Sequence, residues 1–122
     1  MAYAVIDESE LLSRLEGDEE LLAELIDTFL EESGPLLQQV ADAAGSRDAA
    51  ALNRAAHTLK GMVSVFGNLE AAHTARALEA MGRKGDLEKA REATANLQEQ
   101  MEALEKSLAA LKEKHGPSSD RG

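Results

Sequence analysis

Ala56-His57-Thr58-Leu59-Lys60-Gly61, with Phe66-Gly67 just beyond it, is the stretch from which the fold can be read. Leu52, Ala56 or Ala55, Leu59, Val63 and Phe66 recur at steps of three and four residues, the spacing of one buried helical stripe. His57 falls ~160° around the helix from Leu59, at the ~100° per residue of an α-helix. Asn53, Lys60, Gly61 and Ser64 stand at i−4, i+3, i+4 and i+7 from it and share its face. The pattern therefore predicts an amphipathic helix that presents an imidazole to solvent, with a lysine and a glycine one turn further on.

Outward from this helix the whole chain reads helical, rich in alanine, leucine and glutamate and holding 2 prolines in 122 residues. A short helix is predicted from about Glu8 to Leu15, with Asp7 as N-cap, Glu10 completing a capping box and Gly17 as its stop. A second helix starts near Asp18 and carries Leu22, Leu25, Ile26, Phe29, Leu36, Leu37 and Val40 on one side. Pro35 lies inside that pattern and predicts a kink or a split near Ser33-Gly34. Gly45-Ser46 is read as closing this element, with Ser46 capping the histidine-bearing helix. Gly67-Asn68 breaks the chain before a fourth helix marked by Leu69, Ala72, Ala75, Leu78 and Met81, which ends between Gly82 and Gly85. Asp86 is read as the cap of the last helix. There Leu87, Ala90, Thr94, Leu97, Met101, Leu104, Leu108 and Leu111 form an a/d-type seam. Residues 116–122 are polar and read as a disordered tail.

Long amphipathic helices joined by short loops favour antiparallel neighbours. The expected fold is all-α: an antiparallel four-helix bundle over residues 1–115 with a short leading N-terminal helix. The seam of the last helix would also suit a coiled-coil dimer, but three other helices need burying, and a monomer is expected. The helices differ in length and signature, so no solenoid repeat is present.

Composition narrows function. A formal net charge of −10 disfavours sequence-independent nucleic-acid binding, and 1 Tyr, 2 Phe and no Trp leave no platform for stacking bases. With no cysteine there is neither a disulfide framework nor a thiolate ligand or nucleophile. No apolar run approaches the ~20 residues of a membrane span, and Met1-Ala2-Tyr3-Ala4 lacks the start of a secretory signal. A cytoplasmic protein is expected. No Gly-rich phosphate loop of the Walker type occurs.

The site offers one nucleophile and one cation. A free imidazole has a pKa near ~6.5, so much of it holds a nitrogen lone pair at neutral pH and can form a covalent intermediate. Lys60 can bring an ammonium toward phosphoryl oxygens. Glycine inside a helix costs about 1 kcal/mol relative to alanine, so Gly61 needs a reason, and clearing space beside the imidazole is one. His73 has Arg76 and Ala77 at i+3 and i+4, so no metal site is expected there. His115 sits at a fraying helix end and is given no role.

These residues carry a family resemblance. Ala56-His57-Thr58-Leu59-Lys60-Gly61 with Gly67 resembles the signature of histidine-containing phosphotransfer (HPt) domains, the phosphorelay modules of two-component signalling. Gly17-Asp18-Glu19-Glu20-Leu21-Leu22 leading to Phe29-Leu30-Glu31-Glu32 is similar to the family's lead-in. Ala75-Arg76-Ala77-Leu78-Glu79 and Gly85-Asp86-Leu87 are similar to the family's stretch after the motif, so the likeness spans about Ile6 to Lys114. It implies a four-helix bundle with His57 as phosphoacceptor, Lys60 as charge partner and Gly61 as the small neighbour. Asn53, Ser64 and Gly67 are then the expected partner-binding residues. The implied partners are response-regulator receiver domains, with a hybrid histidine kinase as a further candidate. The receiver would bring Mg²⁺, and this chain is expected to hold no cofactor and to act as a phosphocarrier rather than a stand-alone enzyme. Met62, Val63 and Val65 depart from the family pattern, where small residues are commoner. Two other readings compete: the phosphoacceptor domain of a chemotaxis-type kinase, and a helical adaptor without chemistry.

Overall fold

The computed structural model describes residues 6–67 and 69–115 and places five helices along them: α1 Glu8–Arg14, α2 Glu19–Ser46, α3 Ala49–Ser64, α4 Glu70–Lys84 and α5 Ala90–His115. The tail read as disordered lies outside the described residues. Three aspartates start three of these helices by the same device. Asp7, Asp18 and Asp48 each accept a hydrogen bond from the backbone N–H three residues on, at 3.1, 3.0 and 3.1 Å, which satisfies a donor the helix itself leaves free.

Helices α2, α3, α4 and α5 pack in a closed ring, each against the next and α5 against α2. Side-chain pairs fix the directions. Along α2 and α5, Asp27 pairs with Lys112, Ser33 with Glu105, and the Gly45 carbonyl with Arg91, so one helix descends as the other rises. Along α3 and α4, Gly82 faces Ala49 and Asn53 while Glu79 faces His57 and Lys60, which is again antiparallel. The molecule is an antiparallel four-helix bundle with a short leading helix. Leu11 of α1 is buried, and the Arg14 guanidinium donates to the Val65 carbonyl at 3.1 Å, tying that helix to the end of α3.

The core is the one the sequence pattern marks. Leu52, Ala55, Ala56, Leu59, Val63 and Phe66 are buried on α3 and just beyond it, and Phe29 meets Phe66 edge-on with ring centroids 5.4 Å apart. Every position of the seam from Leu87, just before α5, to Leu111 is buried within the chain, so it packs here in a bundle and offers no open face for a coiled coil.

Two cap expectations are corrected, and of the kink or split expected at Pro35 the split does not occur. Helix α2 runs unbroken through Pro35 for 28 residues. The proline itself is exposed, and the carbonyl it deprives of a donor belongs to the exposed Glu31, which water can satisfy. Buried Phe29, Ser33 and Val40 anchor α2 on both sides of it, outweighing a penalty of about 3 kcal/mol. Ser46 ends α2 and does not cap α3: its hydroxyl donates back to the Asp42 carbonyl, Arg47 takes a left-handed turn at φ 59°, and Asp48 is the cap. Asp86 likewise closes α4 and does not open α5. Its N–H donates to the Met81 carbonyl while Gly85, at φ 73°, donates to Gly82, and α5 begins only at Ala90.

Candidate functional site

The buried stripe of α3 turns the opposite face outward, and His57 stands on it with 65% of its side chain exposed. The imidazole is nevertheless held. Its Nδ1 lies 2.6 Å from Oε2 of Glu79, which reaches across from α4. The other oxygen of that carboxylate, Oε1, accepts from Nζ of Lys60 at 2.7 Å. Glu79 is thus a bridge between the histidine and the lysine, with only 14% of its side chain exposed. Asn53 fixes the bridge from below: its amide donates to the Glu79 backbone carbonyl at 2.9 Å, clamping α4 to α3 one turn before His57.

The charge state comes from these contacts. The Lys60 ammonium holds the Glu79 carboxyl below its ordinary value, and the His57 hydrogen bond adds to this, against the upward push of burial. Glu79 is therefore ionised at neutral pH and acts as an acceptor. The nitrogen facing it must carry the proton, which makes the neutral ring the Nδ1–H tautomer and leaves the lone pair on Nε2. Because the folded-state pKa is depressed, this carboxylate's contribution to stability is present above the ordinary carboxylate value. It is lost as pH falls through the lower folded value.

Of the residues singled out by sequence, the structure gathers His57, Lys60 and Asn53 around Glu79. Ser64 and Gly61 lie on the same exposed face, with the Ser64 hydroxyl turned back to the Lys60 carbonyl at 2.8 Å. Gly67 stands apart at the end of α3, half-buried at φ 131°, where a side chain would be strained. His73 is exposed on α4, and the side chain of His115 is outside the described residues. Among the described residues no group of three or more His, Cys, Asp or Glu could hold a metal ion. Sequence reasoning missed the role of Glu79. It was visible only as part of the Ala75–Glu79 stretch, since nothing in the spacing of one helix says which residue of another will reach it.

Gly61 is open. A Cβ built there meets no atom within 4 Å. Gly61→Ala should accordingly stabilise α3 by up to about 1 kcal/mol, read as a higher urea midpoint. Gly61→Leu, whose side chain would project beside His57 at i−4, should instead slow phosphoryl transfer. A lower midpoint for the alanine variant would rule out steric access as the reason for this glycine.

Comparison with known proteins bears directly on this geometry. The family model for the Hpt domain matches residues 24–111, which include His57, Lys60 and Glu79. The chain belongs to the Hpt domain family. A solved structure of histidine-containing phosphotransfer protein B (HptB) from Pseudomonas aeruginosa PAO1 is similar to it, with a TM-score of 0.82 and 26% sequence identity. That match covers 91% of this chain and 96% of the HptB chain. Comparison with curated proteins gives no match. The bundle is thus the Hpt fold, and the matched stretch includes the α3 face on which His57 is exposed. No helix among the described residues is long and apolar enough to cross a membrane.

Proposed function

We propose that this Hpt protein is a cytoplasmic, monomeric phosphorelay intermediate: His57 accepts a phosphoryl group from an aspartyl phosphate of one receiver domain and hands it to another. The observation that carries this reading is the exposed imidazole whose Nδ1 is held by Glu79, because that keeps the proton on Nδ1 and leaves Nε2 unprotonated, with its lone pair facing solvent. Nε2 attacks phosphorus, the bond to the aspartyl oxygen breaks, and its electron pair remains on the receiver carboxylate. Lys60, on the same carboxylate as His57, brings a cation beside the transferring group. Mg²⁺ belongs to the receiver, which supplies the rest of the catalytic apparatus. The burial of the α5 seam within one chain supports a monomer.

Charge distribution supports an anionic partner on this face. Across α3 and α4, residues 49–84 hold five cations (Arg54, Lys60, Arg76, Arg83 and Lys84) and two carboxylates, a net +3 in a chain whose total is −10. Arg54 stands one turn before His57, and Arg76 and Arg83 flank Glu79 at i−3 and i+4. All three are exposed and form no ion pair among the described residues. They would steer the anionic phosphoaspartyl pocket of a receiver toward the imidazole.

Incubation with a receiver phosphorylated on its aspartate tests the proposal. The expected result is an acid-labile, alkali-stable label that maps to His57, formed more slowly at high salt. Stable binding without label would favour an inert adaptor instead.

A further inference from the structure

The contact between Glu79 and Nδ1 has a consequence for the phosphorylated state, which rests on the proposed function of His57. We infer that Glu79 keeps the Nδ1 proton on the ring throughout the transfer cycle, and thereby holds the phosphohistidine in its labile form. Glu79 is in this sense a positioning residue that acts through His57.

Proton balance is the reason. Attack by Nε2 on phosphorus gives a ring bonded to phosphorus at Nε2 and still bonded to hydrogen at Nδ1, a cation. If that proton leaves, the N–P bond becomes resistant, since its rupture would have to expel an imidazole anion. If it stays, rupture releases neutral imidazole, a far better leaving group. An ionised carboxylate at 2.6 Å favours the cation over its neutral form. In the outward step an acceptor carboxylate oxygen attacks phosphorus, the N–P bond breaks, and its electron pair returns to Nε2. The ring is then the same neutral Nδ1–H tautomer with which the cycle began. No proton need enter or leave in either direction.

The charged groups around the ring set the strength of the effect. From α3, Lys60 competes by donating to Oε1 of the same carboxylate. From α4, Arg76 and Arg83 flank Glu79 on the exposed side. Among the described residues no charged group of α2 or α5 is hydrogen-bonded or ion-paired to the imidazole. A phosphoryl dianion on Nε2 draws the Lys60 ammonium toward itself, which frees Glu79 to accept more strongly from Nδ1–H. The arrangement favours rapid onward transfer over long storage of the phosphoryl group.

Phosphoramidate, a small-molecule donor that needs no docking, loads the histidine for the test. The loss of phosphate from wild type and Glu79→Gln would be followed by ³¹P NMR across pH 5–9, with ¹⁵N shifts reporting protonation at Nδ1. The fast, protonated regime should end about one pH unit lower in Glu79→Gln, an effect at the small end of what a neighbouring opposite charge produces. At pH 8 the wild-type protein should then lose phosphate roughly tenfold faster. Lys60→Met, which removes the competing cation, should move the profile the other way. Superimposed profiles, or a faster Glu79→Gln at pH 8, would overturn the inference while leaving His57 as phosphoacceptor. Failure of wild type to load at His57 from both phosphoramidate and a phosphorylated receiver would overturn both.

Discussion

Gly82→Ala is expected to destabilise the bundle by about 1–3 kcal/mol, the usual range for overpacking, despite the better helix propensity of alanine. A Cβ at this position would lie 2.6 Å from the Asn53 backbone nitrogen, 2.7 Å from the Ala49 carbonyl oxygen and 2.9 Å from Asn53 Cα. All three are backbone atoms of α3, so no side-chain rotation can relieve the clash. Helix α4 has to move away from α3, and the move strains the hydrogen bond that the Asn53 side-chain amide donates to the Glu79 backbone carbonyl. The loss should therefore appear twice: as a lower urea midpoint, and as a slower reaction of His57 with a phosphorylated receiver, because Glu79 is carried off with its helix. An unchanged or higher midpoint would show that the two helices do not approach so closely. The contrast with Gly61 is the sharper for being made inside one bundle. One helical glycine faces open space and the other faces a backbone, so alanine should have opposite signs at the two positions.

His57→Gln should abolish phosphoryl acceptance altogether while leaving the fold in place. No other described residue offers an imidazole beside a cation in this arrangement, and an amide nitrogen is not a nucleophile at neutral pH. The structural effect should be small, within about 1 kcal/mol, since the side chain is 65% exposed and Glu79 retains its Lys60 partner. Labelled phosphoryl transfer from a receiver measures the first outcome, and thermal unfolding followed by helical signal measures the second. Residual label on the variant would move the phosphoacceptor elsewhere. A large fall in melting temperature would mean that the His57–Glu79 contact holds α3 and α4 together, and does more than orient a nucleophile.

Local rules acting along single helices determined most of the architecture. The three- and four-residue spacing of Leu52, Leu59 and Val63 gave the buried face of α3, and with it the outward placement of His57, because helical geometry alone relates the two. Asp7 and Asp18 announced the helix starts, and the seam from Leu87 to Leu111 announced the buried edge of α5. Where a local signal had a rival, sequence chose wrongly. Ser46 and Asp86 are plausible caps on composition, but the left-handed turns at Arg47 and Gly85 close the preceding helices there, and Asp48 takes the cap of α3. Pro35 carries a breaking propensity that holds for an isolated helix, but packing on both sides of it overrides that propensity. Two features belonged to the tertiary structure alone. Glu79 becomes part of the site because the antiparallel register of α4 on α3 sets it opposite His57 and Lys60. Gly82 becomes a contact for the same reason, near the end of a helix whose sequence marks it merely as approaching a stop. Spacing within one helix fixes which residues share a face, but the register between two helices is set by how both faces interlock, and that is where the carboxylate that sets the proton on the imidazole is chosen.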